Sequence, residues 1–149
     1  WRAPLGGGID GETIPRELRS LESLPHAAEF RRSAVVHDYQ SRAKIQPWRT
    51  VHRMLYEAAI VEGVGQNQAK VLYAVVYAGG WRWETRDSSC YRSCHIAAQS
   101  LAWKPKVALR EIEPLLPWIL LESPALDAID QRVDAALRRP GPHIFAQPP

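Results

Sequence analysis

The stretch RRSAVVHDYQSRAKIQPWRTVHRMLYEAAIVEG, residues 31–63, decides the fold. Apolar residues recur at helical spacing on both sides of one proline, Pro47. Upstream, Ala27, Phe30, Ala34 and Val35 share one side of a helix expected over residues 26–41, with Glu29, Arg32 and Ser33 opposite. Downstream, Val51, Met54, Leu55, Ala58, Ala59 and Val61 form the stripe of a second helix over about 48–62. Arg53 and Glu57 are read there as a solvated i, i+4 pair, and Gly63 and Gly65 end the helix. About six residues, 42–47, join the two, and so short a connection makes antiparallel neighbours.

That hairpin has a chemical consequence. His37 and Asp38 flank the apolar stripe of the first helix, about one turn before its end. His52 falls about one turn after the start of the second, at the edge of its stripe. An antiparallel pairing therefore sets two imidazoles and a carboxylate at one level. Neutral imidazoles with a carboxylate suit Zn²⁺ with an open position, where bound water is acidified. A histidine oriented by the Asp equally suits general-base chemistry toward water near neutral pH. The same trio also fits a structural role, as a hydrogen-bonded pair that holds two helices in register.

The rest of the chain reads as a mainly α architecture around this hairpin. PLGGGIDGETIP, residues 4–15, is loop or short β material, because consecutive glycines do not suit a helix interior. NQAKVLYAVVYAGG, residues 67–80, carries Lys70 as its one charge and is read as a buried helix ended by Gly79 and Gly80. WRWETRDSSC, 81–90, is a loop or short strand. Short helices are expected over 93–121, broken by Pro114 and Pro117. A final helix has Ser123 as its N-cap, Pro124 at its first position, and Ile129 and Val133 in its stripe. Asp127, Asp130 and Asp134 are read as its solvated face. Residues 1–84 form the expected core unit, and residues 85–149 a helical extension packed on it.

The chain has 149 residues and a formal net charge of +3, with 12 prolines and 6 tryptophans. A domain of this size buries roughly 70% of its unfolded surface, so its core needs neither disulfide nor metal. The charge excess is mild and without basic runs, which disfavours nucleic acid and permits an anionic partner such as a cell-wall polymer. No apolar run approaches the ~20 residues of a membrane span. Cys90, Cys94 and His95 lie within CYRSCH, read as two buried thiols, a local disulfide or part of a zinc site. The chain opens on Trp1 rather than Met, as a domain trimmed from a longer effector would.

Taken in order, GIDGETIP (8–15), AAEFRRSAVVHDYQSR (27–42) and VHRMLYEAAIVEGVGQNQAKVLYAVVYAGG (51–80) resemble DUF1353, a family of phage-related and bacterial proteins of unknown function. The resemblance covers about residues 5–80. It places Asp10 as the loop Asp of the family pattern, Thr13 at its Ser, Pro15 at its Pro, and His37 and Asp38 at its His-Asp pair. His52 stands where many members have Asp, and Gln40–Ser41 where a Leu-Tyr pair is usual. The resemblance implies that the Asp10 loop folds back over the hairpin, so that Asp10, His37, Asp38 and His52 form a mixed N/O ligand set for zinc. Glu12 is then a general-base candidate. Thr13 is a substrate contact or a helix cap, and Tyr39 and Tyr56 are oxyanion donors or packing residues. Trp48, Trp81 and Trp83 are an aromatic platform or core.

The function expected from these readings is a bacterial or phage envelope-directed hydrolase, with peptidoglycan as the preferred substrate and His37 and Asp38 at its centre. A secreted effector toxin acting in the periplasm of a target cell, with an immunity protein as partner, is its sub-case. A non-catalytic phage-structural or effector-adaptor module is the competing expectation. A lipid hydrolase is the third, because a His-Asp helix against an antiparallel helix is similar to secreted phospholipases. Their calcium loop and dense disulfides are not seen here.

Overall fold

The computed structural model describes residues 1–4, 13–84 and 102–138, and its architecture is mainly α. The helices are α1 (Arg31–Ala43), α2 (Trp48–Val61), α3 (Gln66–Gly79), α4 (Leu109–Ile112), α5 (Leu116–Glu122) and α6 (Leu126–Arg138). Short 3-10 turns at Arg16–Leu18 and Glu113–Leu115 accompany them. Strands β1 (Arg82–Trp83) and β2 (Ala102–Trp103) pair antiparallel, with Arg82 opposite Trp103 and Trp83 opposite Ala102.

α3 is the central element. Every residue from Ala69 to Gly79 is buried, the pattern of a helix covered on all sides. One side of α3 shares a core with Val51 and Met54 of α2, Ile119 of α5, and Ile129 and Val133 of α6. The other joins a smaller cluster with Phe30, Leu55, Ala59 and Val64. Each such aliphatic side chain contributes about 1.5–3 kcal/mol by leaving water. Lys70 is buried within this helix because its ammonium donates to the Ser123 carbonyl at 2.7 Å and to the Ser123 hydroxyl at 2.9 Å.

The expected hairpin is present, with α1 shorter than its periodicity suggested. Residues 26–30 turn instead, because the His26 ring accepts the Ala28 N–H at 3.3 Å and Glu29 accepts the His26 N–H at 3.3 Å. The start of α1 is capped from a distance: the Glu62 carboxylate accepts the Arg32 and Ser33 N–H groups and the Ser33 hydroxyl. Glu62 closes α2, so this contact ties the far ends of the hairpin together. At the near end, Lys44 adopts a left-handed conformation (φ 52°) and its N–H returns to the Gln40 carbonyl at 3.0 Å.

Other local readings are corrected by tertiary contacts. Ser123 closes α5 in a left-handed conformation (φ 47°) rather than opening α6, since Lys70 takes both its oxygens. Val61 is exposed, because the stripe of α2 turns away from the core in its last turn. Arg53 pairs with Asp127 and Asp130 of α6 instead of Glu57. The α6 carboxylates are therefore not a plain solvated face: Asp130 also accepts the Tyr73 hydroxyl at 2.6 Å, and Asp134 accepts that of Tyr77 at 3.2 Å.

Candidate functional site

The short α1–α2 connection brings His37 and His52 into direct contact: His37 Nε2 lies 2.9 Å from His52 Nδ1. The ring centroids are 5.1 Å apart, tilted by 34°. His52 is fully buried, its ring edge-on to Trp48 at 5.4 Å and to Trp83 at 6.4 Å. On the other side of His37, Nδ1 lies 3.6 Å from Asp38 Oδ1. That same carboxylate oxygen accepts the Thr13 hydroxyl. Thr13 is held there by its neighbours: Leu18 is buried, and Pro15 packs so closely on Gly79 that an added Cβ would lie 2.8 Å from the Pro15 ring.

Four atoms of this array, His37 Nδ1, Asp38 Oδ2, Ser41 Oγ and His52 Nε2, are buried without a hydrogen-bond partner among the described residues. A buried polar atom left unmade costs about 1–3 kcal/mol. A concentration of them calls for an explanation in function rather than in packing. Three of the four belong to residues that line a cleft of about 380 Å³. Thr13, His37, Asp38 and Ser41 form one wall, Gly80 and Trp81 face them, and Arg42 and Lys44 bring positive charge to the same opening.

Gly80 is required by geometry. A Cβ there would sit 2.4 Å from the Val76 carbonyl oxygen and 3.1 Å from His52 Nε2. The chain thus passes directly over the second imidazole and closes the floor of the cleft.

Burial governs the charge of His52. Burial pushes the His52 pKa well below its ordinary value; proximity to His37 and then to Arg82 acts the same way, and the Trp81 backbone acts weakly against it. His52 is therefore neutral. We assign the proton of the neutral His52 to Nε2, the nitrogen not engaged with His37. His52 Nδ1 is then the acceptor, and His37 Nε2–H the donor. In this assigned tautomer a neutral His37 has a bare Nδ1, buried beside Asp38, on a residue that lines the cleft. That is the arrangement of a general base held by a neighbour, with a carboxylate placed to stabilise the imidazolium it forms.

The remaining sequence candidates fall elsewhere. Tyr39 is half-buried on α1 and does not line the cleft, and Tyr56 packs edge-on against Tyr73 at 6.3 Å in the core. Trp48 is buried, with the Arg49 and Arg82 guanidinium groups 4.4 and 4.7 Å from its ring. Trp83 is buried and donates its indole N–H to the Gln46 carbonyl at 2.9 Å. Of the proposed aromatic platform only Trp81 reaches the cleft. Asp10, Glu12, Cys90, Cys94 and His95 lie outside the described residues. Among the described residues no three His, Cys, Asp or Glu side chains surround a common point.

Ser41, Arg42, Lys44 and Gly80 were not among the sequence candidates. Ser41 had a usable signal, since it lies at i+4 from His37 and i+3 from Asp38 on the same helix face. The double glycine at 79–80 was a second signal, of close backbone approach.

The family model described as "Protein of unknown function (DUF1353)" matches residues 1–76. The uncharacterized protein y4iH of Sinorhizobium fredii is 31% identical over 83 residues, which are 56% of this chain and 35% of that protein. The chain thus spans about a third of the length of this relative. No solved structure matches it. Half of the chain lies under the family model, including Thr13, His37, Asp38 and His52, and the chain belongs to the DUF1353 family.

Proposed function

We propose that this domain is a hydrolase of the bacterial or phage envelope in which His37 is the general base. The observation that supports it is the anchoring of His37, a residue of the cleft lining, to His52 through Nε2, which leaves its Nδ1 beside Asp38 without a hydrogen-bond partner among the described residues. In the proposed reaction, Nδ1 takes a proton from water as the water oxygen attacks a carbonyl carbon. The imidazolium, stabilised by Asp38, then returns the proton to the leaving nitrogen or oxygen. Asp38 Oδ2 and Ser41 Oγ are the unpartnered groups available to hold the attacking water. Arg42 and Lys44 supply positive charge near the developing oxyanion. General-base action of this kind is worth about 10²–10⁴ in rate.

The proposed reaction involves no metal and draws on the His37–His52 pair, Asp38 and Ser41. Peptidoglycan is the first substrate to test. It offers amide bonds and acidic stems to a protein of net charge +3 with two cations at the cleft. A secreted effector setting, with an immunity protein as partner, is compatible with such an activity and remains part of the proposal. One observation favours lipid ester as a second substrate: Trp81 is exposed at the cleft and amphipathic, suited to an interface of headgroup and acyl chain.

The test is turnover of purified sacculi and of mixed phosphatidylglycerol/phosphatidylethanolamine vesicles by the folded chain and by His37→Gln. We expect release of soluble muropeptides by the parent and a loss of at least 100-fold in the variant. Fatty-acid release in place of muropeptides selects the lipid reading. A folded parent that attacks neither substrate would return the cluster to the role of a helix lock in an interaction module.

A further inference from the structure

A second cleft, of about 430 Å³, lies beside the first and is not used by the proposed chemistry. Among the described residues its lining carries four cations, Arg16, Arg19, Lys104 and Lys106, against one carboxylate, Glu17. The full chain has an excess of only three positive charges, so this groove concentrates a charge that the composition dilutes. Two of its cations come from the turn after Pro15, and two from the segment that follows β2. They are separated by more than eighty positions in sequence and are brought together only by the fold.

The two clefts share a wall. Ile14 and Gly79 line the cationic groove, and their chain neighbours Thr13 and Gly80 line the His37 cleft. Trp81 lines the His37 cleft, and the ammonium of Lys104, from the groove, sits 4.9 Å from the centre of its ring. The Trp81–Lys104 pair is thus the ridge between them, with an aromatic face half open to solvent and a cation on it. Arg42 and Lys44 continue the positive charge on the far side.

We infer that the cationic groove is a binding subsite for the acidic portion of an extended substrate, whose scissile bond lies across the Trp81–Lys104 ridge in the His37 cleft. The substrate class is a carboxylate-bearing peptide of the cell-wall type. Its free carboxylates match the paired cations, and its uncharged backbone crosses the apolar ridge. A nucleic-acid strand would place a charge at every step, including against Glu17, the carboxylate of the groove. This inference rests on the hydrolase reading for the bond in the first cleft. The groove itself is tested without turnover.

The experiment measures binding of a soluble disaccharide-peptide with free carboxylates to the full chain, by calorimetry. The comparisons are its fully amidated form and a single-stranded oligonucleotide of equal length in charge. We expect the amidated ligand to bind at least tenfold more weakly, and the Lys104→Ala/Lys106→Ala variant to lose at least tenfold for the acidic ligand alone. Arg16→Ala/Lys106→Ala, which alters two exposed side chains and spares the Trp81 contact, should lose a similar factor if the fold is intact. His37→Gln should bind the acidic ligand unchanged while failing to cleave it. If both groove variants bind like the parent, or if amidated and acidic ligands bind alike, the subsite is overturned. Tighter binding of the oligonucleotide than of the acidic peptide overturns it also. Intact groove binding without cleavage by the parent would refute the hydrolase reading alone.

Discussion

Two polar clusters meet on α2, one partly open to solvent and one buried, and they are finished differently. Toward α3 and α6, Arg53 donates to Asp127 and to Asp130 (2.9 Å), and Asp130 also accepts the Tyr73 hydroxyl at 2.6 Å. No buried side-chain atom of Arg53, Tyr73 or Asp130 lacks a partner. The Tyr73 pKa is raised, by burial first and then by the hydrogen bond to Asp130; that of Arg53 is raised by its bonds to Asp127 and Asp130. Neither changes charge at any working pH. Toward α1, the His37–His52–Asp38 array makes its internal bonds and leaves four buried atoms without partners, most of them on residues at a cleft. The first cluster is a fastening. The second keeps four buried polar atoms without a hydrogen-bond partner among the described residues, and the proposed chemistry draws on them.

The largest expected effect tests the fastening. Asp130→Ala leaves the Tyr73 hydroxyl and the Arg53 guanidinium short of an acceptor, and should lower stability by about 3 kcal/mol. For a chain of this size that is a fall of roughly 10 °C in Tm, read by calorimetry. Substrate turnover below the new melting point should be unchanged. A loss of activity without a loss of stability would erase the distinction between the two clusters.

Gly80→Ala comes next and tests the floor of the cleft. The new Cβ must displace the chain from the Val76 carbonyl and press on His52, and overpacking of this kind costs about 1–3 kcal/mol. On the proposed mechanism His52 positions the general base, so activity should fall by more than the stability loss explains. Rates and chemical denaturation of the same preparation check this.

The contrast sharpens further with an apolar replacement. His37→Leu/His52→Leu removes an imidazole pair together with two unpartnered nitrogens from sites that are almost fully enclosed. Replacing both partners of a buried polar pair by apolar groups is near neutral or stabilising. Stability should hold or rise by about 1 kcal/mol while turnover is lost, the trade expected of a functional site. A fall of several kcal/mol would make the histidines a structural lock instead.

How much of this was legible beforehand depends on the range over which each feature is determined. The hairpin, and the meeting of His37 with His52, follow from a 3.6-residue period and a six-residue connection, which are local. The start of α1 was misplaced because the His26 and Glu29 side chains divert the backbone into turns that periodicity does not register. The true partner of Arg53 lies on α6, so no pattern within α2 could reveal it, and the i+4 glutamate was the natural wrong choice. Trp81 and Gly80 join the site because α3 returns the chain across His52. Their sequence signal, a double glycine before an aromatic, marks close approach without saying to what.

The smallest effect concerns pH and isolates His52. Its folded pKa is depressed below the ordinary value near 6.5, so native and unfolded chains bind the same number of protons at this ring above about pH 7.5. Below 6.5 the unfolded ring takes a proton that the folded ring refuses. The unfolded state then binds more protons, so stability rises with pH and is lost as pH falls through this window. For one such group the loss amounts to about 1 kcal/mol by pH 5.5. His52→Asn keeps an acceptor near Nδ1 for His37 and has no titration, so the difference in unfolding free energy between parent and variant should narrow as pH falls from 7.5 to 5.5. Denaturant unfolding at each pH reads that difference directly, and carboxylates titrating in both chains cancel from it. A difference that stays constant over this range would mean that the His52 pKa is not depressed in the fold. The bare nitrogen on His37 would then lose its supporting tautomer.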